Sequence, residues 1–171
     1  LYSIFVDLLL KKFEFKSTID IIETDIKHRL LANLAKKMHV KQLVSIEKSK
    51  ALNIIGSYLH DRGQSDINIE ELLEDIVNNN ALLIYNERSE LQFKHLSFQE
   101  YFTAYEFYHH RQTERNIFVS KFNKLWWQNV AIFYAGFSKD APILLDEIIE
   151  VGKNTTGIIP QFNVMTGLGR L

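Results

Sequence analysis

The sequence predicts a mainly α protein with a single β-hairpin set among its helices. Three observations carry that expectation. Apolar residues recur at i, i+3, i+4 and i+7 through most of the chain. Between residues 81 and 95 the period drops to two, once. Residues typical of helix ends, such as Asn68, Ser97, Gly63 and Pro142, punctuate the periodic segments. Hydrophobic residues make up 46% of the 171 positions, enough for a core in one domain or two small ones and too many for a disordered chain.

Residues 1 to 14 place Leu1, Phe5, Leu8, Leu9 and Phe13 on one helical face. A looser stretch, "EFKSTIDIIET", follows. Residues 25 to 39 align Ile26, Leu30, Leu31, Leu34 and Met38. Residues 46 to 60 align Ala51, Leu52, Ile55, Tyr58 and Leu59, and Gly63 supplies a left-handed stop. In "NIEELLEDIVNNN", Asn68 with Glu71 signals a helix start, and Ile69, Leu72, Leu73, Ile76 and Val77 share a face.

"ALLIY" and "ELQFKH" then flank the polar "NERS". Leu91, Phe93 and His95 alternate with Glu90, Gln92 and Lys94, so the second run reads as a strand with His95 on its inward side. Ser97 and Glu100 are spaced as a capping box, with Leu96 and Tyr101 placed for a hydrophobic staple. The helix they open runs to about His110 with Phe98, Phe102, Tyr105 and His109 in line, widened by Tyr101 and Tyr108. Burial over much of its girth is expected. Further helices are expected near 114 to 123, 125 to 135 and 141 to 151, the last opened by Asp140 and Pro142. The tail from 154 to 171 has no clear period.

Helices, a hairpin, then a helix against it suggest a winged-helix unit in residues ~20 to 110, followed by a helical segment. DNA binding is the commonest use of that unit. Here the helix ahead of the hairpin carries Glu70, Glu71, Glu74 and Asp75 and no Lys or Arg, which repels a phosphate backbone. A net charge of −1 gives no pull toward nucleic acid or acidic membranes. The absence of cysteine excludes disulfides and thiolate metal sites and fits a cytoplasmic location. No apolar run reaches the ~20 residues of a membrane span, so no membrane partner is expected. Leu1 in place of methionine leads us to expect a piece of a longer chain.

The six histidines, His28, His39, His60, His95, His109 and His110, fit no metal-ligand spacing. His109 and His110 end a helix, where the dipole favours a cation. There is no G-x-S-x-G elbow, and "TGLGR" lacks the G-K-[ST] of a P-loop. Trp126 and Trp127 read as packing or a domain seam. His95, at the joint of strand and helix, remains open to four roles: packing residue, metal ligand, base or anion contact.

Residues 93 to 104, "FKHLSFQEYFTA", resemble the F-x-H-x-S-F-Q-E-[FY]-F-x-A signature of the NACHT-type STAND NTPases, which include the NOD-like receptors and bacterial NACHT proteins. Phe93, His95, Ser97, Phe98, Gln99, Glu100, Tyr101, Phe102 and Ala104 all fit, nine of twelve consecutive positions. "LYSIFVDLLLKKF" at 1 to 13 is similar to the helix that follows the nucleotide-binding core in that family. "LWWQNVAIFYAGF" at 125 to 137 is similar to the W-x8-G helix beyond the winged helix.

The resemblance implies three parts: the end of a helical domain at 1–19, a winged-helix domain at 20–112 and the start of a second helical domain at 113–171. It implies an upstream P-loop ATPase core in cis, holding ADP or ATP with magnesium, while the chain itself holds no cofactor and is not an enzyme. In such proteins the winged helix closes over ADP and keeps a switch inactive. His95 is the residue carried over as the diphosphate contact. The parent would form a homo-oligomer on activation, in bacterial signalling or phage defence. The alternative is a winged-helix DNA-binding regulator.

Overall fold

The structure is a computed structural model that describes residues 24–79, 81–110, 117, 120, 121 and 124–137. The helices expected at 1–14 and 141–151, most of that at 114–123 and the tail at 154–171 lie outside the described residues. The chain divides into two compact units between Phe102 and Thr103.

The first unit runs α1 (Thr24–Val40), β1 (Ser45–Glu47), α2 (Lys48–His60), α3 (Ile69–Asn79), β2 (Leu83–Tyr85), β3 (Glu90–Phe93) and the start of α4 (Leu96–His109). Its antiparallel sheet has the order β1-β3-β2. Helix, strand, two helices and a hairpin on a three-stranded sheet is the winged-helix arrangement, as the element order predicts.

β1 corrects the expectation of a helix from residue 46. Ser45, Ile46 and Glu47 pair with Gln92, Leu91 and Glu90, and the helix begins at Lys48. A three-residue strand buries one side chain, Ile46, so no alternation marks it in the sequence.

Each helix ends on local chemistry. At the end of α2 the Gln64 N–H bonds the Leu59 carbonyl and the Gly63 N–H bonds that of His60, both at 3.0 Å. This is a Schellman cap with Gly63 at φ 68°. α1 ends the same way: Leu43 N–H reaches the Met38 carbonyl at 3.0 Å and Gln42 N–H that of His39 at 2.9 Å. Here Gln42 holds the left-handed position at φ 56°, where a side chain is strained. At the start of α3 the Asn68 Oδ1 accepts from the Glu71 N–H at 3.3 Å, as expected. Leu72, Leu73 and Ile76 are buried on its inner face. Lys27 of α1 and Asp75 of α3 meet at 3.0 Å with side chains only 5% and 8% exposed.

A hairpin stands where the sequence places one, and its register sets Leu83 opposite Phe93 and Tyr85 opposite Leu91, with Asn86 rather than Tyr85 facing Glu90. Its polar turn is organised by Asn86, whose Oδ1 accepts from the N–H groups of Arg88 and Glu90 at 2.9 Å each. Leu91 and Phe93 face inward.

His95 does not. The strand ends at Phe93, and Lys94 and His95 both stand exposed. The Lys94 N–H makes a last bond to the Leu82 carbonyl, after which the backbone turns into α4 and the two-residue alternation no longer governs direction. The helix also opens earlier than the Ser97 spacing places it. The His95 carbonyl already accepts from the Phe98 N–H at 3.0 Å and the helix starts at Leu96, so Ser97 lies inside the first turn. Leu96 is 40% exposed and is no staple. Burial of α4 around its girth is observed, since every residue from 98 to 104 is buried.

In the second unit, Ala104, Phe107, Trp127, Val130, Ala131 and Tyr134 form a buried cluster. The helix expected at 125–135 is a 3-10 turn, Leu125–Trp127, leading into α5 (Gln128–Phe137). Trp127 packs edge-on to Phe107, 5.7 Å between ring centroids.

Two stability predictions follow from these contacts. Lys27→Met leaves the Asp75 carboxylate buried without its cation and should cost about 3–5 kcal/mol in urea denaturation, whereas Lys27→Met with Asp75→Leu should recover most of the loss. The second concerns acid. Glu74 accepts from Lys48 and from the Tyr85 hydroxyl, each at 2.8 Å, and Glu90 from Ser45 at 2.7 Å and Asn86 at 3.2 Å. Both carboxylates are held below their ordinary value, Glu74 chiefly by the Lys48 bond and Glu90 chiefly by the Ser45 hydroxyl. A lowered folded-state pKa adds stability above the unfolded value and loses it as pH falls through the folded one. The urea midpoint should therefore drop between about pH 5 and pH 3, and a Glu74→Gln, Glu90→Gln double variant should show a shallower drop.

Candidate functional site

The joint between β3 and α4 is fixed on both sides and open in the middle. Upstream, the Lys94 N–H bonds the Leu82 carbonyl at 2.9 Å; downstream, the His95 carbonyl takes the Phe98 N–H at 3.0 Å. Phe93 and Phe98, buried on either side, anchor the backbone to the core. Between them the His95 imidazole is exposed, with its ring centroid 5.7 Å from that of Phe98. A stiff ring on a fixed backbone has little aim to lose. Its N–H can donate to an anionic oxygen, a stronger bond than one to a neutral acceptor. The exposure removes the role of buried packing residue.

The platform beneath the joint is polar as well as apolar. Gln99, in the turn of α4 after His95, is buried, and its amide nitrogen donates to the Leu43 carbonyl at 3.0 Å and lies 3.5 Å from His39 Nδ1. His39 is itself buried. Glu100 is buried too, so its place in the "FQE" run is not that of an exposed capping carboxylate. His28 of α1 packs edge-on to Phe102, 5.0 Å between centroids, and to Tyr101 at 6.1 Å. The reading from sequence missed Gln99 and His39 as a pair. The signal available was a glutamine inside an aromatic run, which is costly to bury unless it has partners.

The remaining candidates take ordinary structural roles. His110 Nδ1 lies 3.1 Å from the Glu106 carbonyl at the end of α4, a bond that requires the Nδ1 proton and serves a helix-terminal acceptor. His60 is exposed beside Asp61. Among the described residues no three His, Asp or Glu side chains gather as a metal site, and no helix is long and apolar enough to cross a membrane.

α3 occupies the place of a DNA-reading helix, and it exposes Glu70 and Glu71 in its first turn. Lys48 of α2 binds Glu74 at 2.8 Å and lies 3.8 Å from Glu70. The tip of the wing offers Glu87 beside Arg88. That surface opposes a phosphate backbone.

The exposed ring and the buried ring beside it should separate cleanly on substitution. Phe98→Ala empties a core position and should cost about 3–5 kcal/mol of unfolding free energy. His95→Ala should leave stability within about 0.5 kcal/mol of the parent chain in the same denaturation assay.

Comparison with known proteins gives one family. The model for the winged helix-turn-helix domain C-terminal to NACHT matches residues 1–107. No curated protein and no solved structure matches the chain.

Proposed function

The chain belongs to the family of winged helix-turn-helix domains C-terminal to NACHT, and on that premise we propose that it is the regulatory module of a NACHT-type STAND NTPase, closing over ADP to hold the switch inactive. As a domain that follows NACHT, it is not itself the catalytic core. The observation that carries the proposal is the exposed His95 at a joint whose backbone is held from both sides. Such a ring suits a diphosphate oxygen on a nucleotide seated in the preceding domain. The sequence around it, residues 91 to 99, contains no carboxylate to oppose that anion.

ADP, with its magnesium, would supply the charge that the two domains share. This chain supplies a donor, its aim and the mount behind it. Opening of the closed state would release homo-oligomerisation, in bacterial signalling or antiviral defence. One hydrogen bond to a charged acceptor contributes about 1.5–3 kcal/mol. Immobilising a nucleotide costs about 4 kcal/mol or more at standard state. His95 therefore adds to a site built elsewhere and makes none alone.

In the full-length polypeptide, His95→Ala should speed ADP release by about ten- to a hundredfold and raise basal oligomerisation. Stopped-flow release of a fluorescent ADP analogue checks this, with calorimetry on the 171-residue chain as the control that should show no low-micromolar affinity. A His95→Ala protein that keeps its ADP as long as the parent would refute the role.

A further inference from the structure

The bonds that hold the stretch around His95 are of two kinds. Two run from backbone to backbone. The Lys94 N–H to the Leu82 carbonyl, 2.9 Å, ties the stretch to the hairpin, and the Phe98 N–H to the His95 carbonyl, 3.0 Å, closes the first turn. Neither depends on which side chains are present. A third starts from a side chain: Gln99 Nε2 donates to the Leu43 carbonyl at 3.0 Å and ties the opening of α4 to the α1–β1 turn. Gln99 follows His95 by four positions, about one helical turn, so this bond acts on the stretch of helix directly behind the ring.

The chemistry of the amide leaves it one orientation. A carbonyl only accepts, so the nitrogen end of Gln99 faces Leu43. His39 Nδ1 lies 3.5 Å from the same nitrogen and accepts only as the unprotonated nitrogen of a neutral ring. His39 is fully buried at the end of α1, and its carbonyl takes the Gln42 N–H at 2.9 Å. Gln42 stands at φ 56°, a conformation that costs a side chain, and the chain turns there to bring the next carbonyl, that of Leu43, to the amide. Packing alone does not call for this arrangement. Leucine or methionine fills a buried helix position without any demand for a partner. What the amide supplies is direction, because a hydrogen bond weakens when misaligned and apolar contact is non-directional.

We infer that Gln99 is a positioning residue for His95: its bond to Leu43, with His39 beside it, sets the direction in which the first turn of α4 holds the imidazole. The inference rests on the nucleotide contact proposed for His95 and adds the residue that aims it. Gln99 is buried and touches no ligand itself. A ring N–H donating to a phosphate oxygen needs alignment as well as distance. A change at Gln99 therefore reaches the nucleotide only through His95.

Release of a fluorescent ADP analogue from the full-length polypeptide tests this as a double-mutant cycle. Gln99→Met keeps the reach of the side chain and removes its donor, and Gln99→Leu repeats the test with a different shape. Each should speed release at least about threefold, with a melting temperature above that of Phe98→Ala. In a His95→Ala background neither should speed release further, because the residue through which Gln99 acts is gone. Equal acceleration with and without His95, or no acceleration in its presence, would overturn the inference. Hydrogen exchange of the backbone amides at 94 to 98 in nucleotide-free protein reads the mount without the ligand. It should quicken in Gln99→Met, and unchanged exchange would overturn the inference as well. The two readings fail separately. If His95→Ala keeps its ADP, the nucleotide contact falls and the exchange result alone decides whether Gln99 fixes the joint. If His95→Ala sheds ADP and Gln99→Met does not, the contact stands and the backbone bonds alone aim the ring.

Discussion

A helix buried on every side has nowhere to send a polar side chain, and α4 is such a helix from Phe98 to Ala104. Gln99 is the clearest case. Its buried amide donates to the Leu43 carbonyl that the α1–β1 turn delivers, beside the His39 ring. That single bond spans 56 positions of sequence and closes the unit around its central helix. It also explains why α1 accepts a strained end: Gln42 at φ 56° reverses the chain so that Leu43 can face α4 and Ser45 can enter the sheet.

The same constraint sets the posture of His95. With Phe93 and Phe98 both committed to the core, the residues between them must cross from a strand to a helix over a very short path. The backbone there spends its hydrogen bonds on Leu82 and on the first turn of α4. The strand has ended at Phe93, so a residue that the strand pattern would bury is presented to solvent instead. A rigid mount and an exposed tip are one consequence of the same packing.

Charge follows the fold in a comparable way. The buried Lys27–Asp75 pair links α1 to α3, and Lys48 with Tyr85 holds Glu74 at the outer side of α3. Asp75 and Glu74 thereby tie α3 to α1, α2 and the hairpin, while Glu70 and Glu71 stay exposed. The segments around His95 are left cationic. The acidic reading helix opposes a phosphate backbone on the surface a DNA-binding relative would use.

Much of this was legible in the residues because it is periodic. The face of α3, the hairpin, the Asn68 and Gly63 boundaries and the all-round burial of α4 each repeat a short local rule, and local rules are written in local sequence. The twelve-residue signature led to the family by the same directness. Three things were decided only by tertiary structure. β1 is too short to have a period and exists because β3 offers it an edge. The start of α4 lies ahead of Ser97, where the first turn closes on the His95 carbonyl. The outward turn of His95 and the Gln99–Leu43 bond beneath it arise from segments some 50 residues apart meeting in space. No window along the chain contains both, and only their packing brings them together.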